Sequence, residues 1–170
     1  MEFDKILFGG DLRSIGKSNS LIKKIKKQTD FDELFKYLFH KDRLVVMRTA
    51  DIIEKITIHN PEYLAKHKKE IIELSTVSVN KEAKWHLALL LPRLSLDKKE
   101  FGKAWKILTI WVTDKTNSRI VRVNAVQALF ELKKPGHESE INFRLILAEL
   151  EKENIPSLNA RIKKLKNTCP

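Results

Sequence analysis

Cysteine is nearly missing from this chain: Cys169, next to the last residue, is the only one. That excludes a disulfide framework and any cysteine-rich zinc site. Long apolar runs are missing too. The longest covers residues 87–91, far short of the roughly 20 residues a membrane helix needs. The opening Met-Glu-Phe-Asp-Lys lacks the charged-then-apolar layout of a signal peptide, so a cytoplasmic protein with no membrane association is expected. Period-two alternation is equally scarce, with residues 5–8 the single short candidate for a strand,. The five histidines (His40, His59, His67, His86 and His137) form no HExxH or other ligand spacing, and no GxSxG nucleophile motif occurs,. We therefore expect no metal, no cofactor and no catalytic residues. What the chain has in excess is positive charge, with 33 Lys plus Arg against 22 Asp plus Glu, a net +11. Its 170 residues and 42% hydrophobic content suit a single globular domain spanning 1–170 that needs no staple to fold.

Three segments align without gaps: VVMRTADIIEKI (45–56), AKWHLALLLPRL (83–94) and VRVNAVQALFEL (121–132). They repeat at a constant step of about 38 residues,. LNARIKKL (158–165) is a weaker fourth copy. Each carries apolar residues at helical spacing, as Val45, Thr49, Ile52, Ile53 and Ile56 do in the first,. A second helical pattern precedes each copy. Phe31, Leu34, Phe35, Leu38 and Phe39 form the first of these, and Phe101, Trp105, Leu108, Ile110 and Trp111 the third. The unit is a helical hairpin, helix A then helix B.

Punctuation agrees with that unit. Asp30, Asp42, Asn60, Asn80, Asp97 and Asn117 stand where helices should begin,. Pro61 and Pro156 suit first turns, and Pro135-Gly136 divides the third hairpin from the fourth,. Pro92 should kink or end its helix,. The expectation is an all-α, right-handed α-α superhelix of about four hairpins (about 30–58, 60–95, 97–134 and 137–167). An N-terminal extension over 1–29 precedes them, with one helix near 18–28. Stacked hairpins would bury a continuous core and line one concave surface with B helices.

Val121-Arg122 followed by Ala125 resembles the Val-Arg-x-x-Ala core of HEAT repeats, in the armadillo-like class. The blocks GGDLRSIGKSN (9–19), FDELF (31–35), MRTADIIEKI (47–56) and KWHLALLLPRL (84–94) resemble a family of small bacterial HEAT-repeat proteins of unassigned function. The resemblance implies the fold and an interaction surface; it brings no activity with it.

The repeat alignment yields a polar column of Arg48, His86, Asn124 and Arg161. Asp51, Leu89 and Gln127 follow one turn on, then Lys55, Arg93 and Glu131. This column has two readings: a strip that binds a peptide or an acidic ligand, or a ladder of hydrogen bonds between adjacent B helices. Trp85 sits beside it as a candidate anchor,. The leading expectation is a non-enzymatic module binding a protein or peptide through Arg48, Asp51, Lys55, Trp85, His86, Arg93, Asn124 and Gln127. The Gly-rich block around Asp11 and Arg13 is either a structural cap or a second site. It is not a phosphate loop, because Gly10 lies one residue too far from Gly16-Lys17-Ser18,.

The alternative is nucleic-acid binding, with the HEAT-like DNA alkylation-repair glycosylases as the analogy. Its contacts would be Lys23, Lys24, Lys26, Lys27, Lys84, Arg122, Arg161, Lys163 and Lys164. That reading requires these charges to reach solvent on one face.

Overall fold

The computed structural model describes residues 3–8 and 18–168. They are helical, and none of the described residues is in a strand. The chain divides into two compact units, Met1–Lys69 and Glu70–Pro170.

The first unit contains α1 (Asp4–Leu7), α2 (Ser18–Ile22), α3 (Gln28–Phe35) and α4 (Arg43–Thr57), with 3-10 turns at Lys36–Phe39 and Pro61–His67. The segment 5–8 is thus a helical turn in place of a strand. The N-terminal helix expected over 18–28 stops at Ile22. The physical reason lies at Asp30, whose carboxylate accepts the backbone N–H groups of Lys26 and Lys27. Those donors belong to the entrance of α3, so the chain turns there instead of continuing α2. Helix α4 begins as its sequence suggests, with Asp42 accepting the N–H of Leu44 at 2.8 Å, and packs against α1, α2, α3 and both 3-10 turns. Phe31, Leu34, Phe35, Val45, Ile52 and Ile53 are buried in this unit.

The division falls in the first turn of α5 (Lys68–Val77). The second unit continues with α6 (Lys81–Leu90), α7 (Lys98–Thr113), α8 (Arg119–Leu132), α9 (Glu138–Lys152) and α10 (Pro156–Lys166). Pro92 ends α6 as expected, in a 3-10 turn over Leu91–Arg93, because proline has no N–H to offer and crowds the preceding turn. Asp97 and Glu100 form a reciprocal capping box at the start of α7, with bonds of 2.8 and 2.9 Å,. Gly136, at a φ of 69°, makes the turn into α9, a conformation that costs glycine nothing. Asn154, at a φ of 53°, turns α9 into α10.

Within this unit α8 packs on α6, α7 and α10, while α9 packs on α7 and α10. Helices α6, α8 and α10 therefore form one layer and α7 and α9 a second. Equivalent positions of the repeat are buried alike: Val45, Ala83, Val121 and Leu158, and again Thr49, Leu87, Ala125 and Ile162. Filling such positions with Leu, Ile or Val contributes about 1.5–3 kcal/mol per side chain.

Candidate functional site

Helix α8 packs on α7 and helix α10 on α9, and polar groups of α6, α8 and α10 meet between these three helices. Asn124 Nδ2 on α8 donates to the carbonyl of Trp85 on α6 at 3.4 Å. Arg161 Nη1 on α10 donates to Gln127 Oε1 on α8 at 2.6 Å, and Gln127 Nε2 donates to Glu131 at 2.7 Å. These contacts form a polar ladder across three neighbouring helices. Trp85 stays half-exposed beside it, its ring tilted against His86 at a centroid distance of 5.2 Å. Arg93, one turn beyond α6, is also half-exposed.

Two members of the expected polar column lie inside the protein. His86 is 6% exposed and Arg48 is 3% exposed. In the first unit, Arg48 donates to the carbonyl of Leu7 at 2.8 Å, holding α1 against α4. A long side chain at a polar register position can turn inward when a carbonyl is there to receive it, and helical periodicity does not reveal that carbonyl. Asp51 and Lys55 are a partly exposed i, i+4 ion pair at 2.7 Å on α4. Asp11 and Arg13 lie outside the described residues.

The residues expected to contact nucleic acid scatter by environment. Arg122 is 2% exposed. Its Nε donates to the carbonyl of Val112 and its Nη2 to Glu153 Oε1, both at 2.8 Å, linking α7 and α8 to the turn after α9. Hydrogen bonding from Arg122 holds the Glu153 carboxyl below its ordinary value of 4.5, against a smaller upward push from burial. Lys84 donates to Asn117 Oδ1 at 2.9 Å, with its ammonium 5.9 Å from the Trp111 ring centroid. Lys23, Lys24, Lys26 and Lys27 are all exposed around the turn between α2 and α3. On α10, Lys163 and Lys164 are exposed, while Arg161 is half-buried on Gln127.

Sequence periodicity gave no hint of a cluster in the first unit. His67 Nε2 lies 2.8 Å from Asp32 Oδ1, and its ring stacks on Phe35 with centroids 3.9 Å apart. Gln28 Nε2 donates to the same oxygen at 2.7 Å and to the carbonyl of Tyr63 at 3.0 Å. Burial pushes the Asp32 carboxyl up; the hydrogen bonds from Gln28 and His67 and the charge of Lys66 outweigh it and leave it below its ordinary value. The arrangement fastens α3 to the 3-10 turn before α5. The helix-period spacing of Gln28, Asp32 and Phe35 places them on one face, but the partner segment is more than thirty residues away,.

Among the described residues no three His, Cys, Asp or Glu side chains gather to hold a metal ion, and no helix is long and apolar enough to cross a membrane. No protein-family model matches the chain, and no curated protein or solved structure proved similar to it.

Proposed function

We propose that this chain is a HEAT-like helical-repeat module, non-enzymatic and cytoplasmic, that binds a protein or peptide on the face of α6, α8 and α10. In this reading α7/α8 and α9/α10 are two successive A/B hairpins, stacked in the right-handed sense that repeats of this class share, and α6 is the B helix before them. The observation that carries it is Trp85, half-exposed at the edge of the face where Asn124, Gln127 and Arg161 join the three helices. A tryptophan of that kind supplies apolar area and an N–H donor to a partner, and such residues dominate interface energetics. Amide side chains beside it, Asn124 oriented by one bond and Gln127 by two, lose little freedom when a peptide backbone arrives. The nucleic-acid reading has less support on this geometry, because Arg122 and Lys84 are engaged within the protein.

The test is selection of random peptides displayed on phage against the whole chain, followed by titration of the enriched peptides. Binding in the micromolar range is expected, with Trp85→Ala weakening it by more than about tenfold, the loss typical of a hot-spot residue. Enriched peptides whose affinity ignores Trp85→Ala and Gln127→Ala alike would overturn the assignment of this face.

A further inference from the structure

A pocket of about 570 Å³ opens where the end of α8, the length of α9 and the end of α10 meet. The volume falls within the range of about 300–1,000 Å³ that small-molecule sites occupy. Its floor is apolar: Phe130, Phe143, Leu147 and Leu165, of which the last three are buried.

The charges at its mouth do not cancel. Arg144 pairs with Glu140 at 2.9 Å, and Lys166 pairs with Glu151 at 2.7 Å. The second oxygen of Glu140 accepts the N–H of Gly136 at 2.9 Å, so that carboxylate is held from both sides. Lys133 is the remaining cation. Its ammonium sits over the Phe130 ring, 4.8 Å from the centroid, and forms no ion pair among the described residues. Three cations therefore stand against two carboxylates around an apolar floor, and Lys133, whose charge reaches Glu140 without an ion pair, stands directly beside that floor.

We propose that this pocket binds a small amphipathic monoanion, an alkyl or aryl chain ending in a carboxylate. The chain would lie along Phe130, Phe143 and Leu147, and the carboxylate would replace water at Lys133. Charge-assisted hydrogen bonds of this kind are roughly twice as strong as neutral ones, and an apolar surround that limits water strengthens them further. The site is independent of Trp85 and of the peptide reading above.

The experiment uses 11-(dansylamino)undecanoic acid and its methyl ester as fluorescent probes of the whole chain, its Lys133→Gln variant and its Ala148→Trp variant. Ala148 is exposed on α9 at the pocket wall, so a tryptophan there fills the cavity without entering the core. The acid is expected to bind saturably and more tightly than the ester. Lys133→Gln should weaken the acid about tenfold, the loss of one hydrogen bond to a charged group, and leave the ester unchanged. Ala148→Trp should remove both. The proposal fails if neither probe saturates, if acid and ester bind alike and Lys133→Gln changes neither, or if Ala148→Trp leaves binding intact. Should Ala148→Trp lose its helical circular dichroism, the Lys133→Gln comparison alone decides.

Discussion

A guanidinium that is 2% exposed must have its donors met inside the protein, and Arg122 meets them with the carbonyl of Val112 and the carboxylate of Glu153. Breaking a buried pair by removing one partner typically costs about 3–5 kcal/mol. Glu153 keeps some solvent access, with 15% side-chain exposure, so Arg122→Ala should fall near the lower end, at about 3 kcal/mol. Chemical denaturation followed by circular dichroism reads this as a lowered midpoint. The pH dependence has a definite sign. Arg122 depresses the folded-state carboxyl of Glu153, so the stabilisation is fully present above the ordinary value of 4.5 and is lost as pH falls through the lower folded value,. Glu153→Gln should therefore lose less of its stability than the parent chain as pH falls from 4.5 through the lower folded value,, in denaturation series run at successive pH values. Arg122 also shows where sequence reading stops at this scale. The repeat alignment placed it on a helix, as it is, but its direction depended on Val112 and Glu153, which no period links to it. Arg48 and His86 turned inward for the same kind of reason, whereas Asn124, Gln127 and Arg161 took up the interhelical ladder that the alignment offered as one of its two readings.

Helix starts were legible where an acidic side chain could cap and less so where an asparagine stood. Asp42 and Asp97 each accept a backbone N–H at the expected position. Asn80 occupies the cap position of α6 without a side-chain cap bond, and Asn117 stands one residue before the Ser118 cap of α8, with its amide donating to Trp111 and Asp114. The residue type marks a place where a helix can begin, but the rotamer decides whether it caps, and neighbours decide the rotamer. The consequence is a measurable contrast. Asp97→Ala should destabilise by about 1 kcal/mol, the usual cost of a lost cap. Asn80→Ala should stay within about 0.5 kcal/mol of the parent, as surface substitutions without a specific partner do. Equal midpoint shifts for the two variants would contradict the capping geometry. The early end of α2 belongs here too. Its amphipathic pattern ran on through Ile25, which is buried, but the competition for the N–H groups of Lys26 and Lys27 was settled by Asp30, a contact between two segments that periodicity had joined into one.

For the molecule as a whole, the repeat was the strongest sequence signal, because equal spacing of buried positions survives local irregularity: Leu87, Ala125 and Ile162 are buried alike although their side chains differ in size. The pocket under Lys133 was not legible. It is lined from three segments, the end of α8, α9 and the end of α10, and how such segments meet is not written in the periodicity of any one of them. Net charge likewise gave a sign without a location, since Arg48 and Arg122 are inside. The division at Lys69 and Glu70 leads to the last prediction. A unit with its own hydrophobic core can fold alone, and the second unit has its own core in Leu87, Leu108, Val121, Leu129, Phe143 and Leu158. A fragment covering Glu70–Pro170 should therefore fold alone, with a helical spectrum and a cooperative thermal transition. Placing Leu129→Ala in the fragment should cost about 2–5 kcal/mol, the range for a buried leucine, and abolish or sharply lower that transition. A fragment that is unfolded by circular dichroism, or one whose melting ignores Leu129→Ala, would show that this core does not sustain the unit.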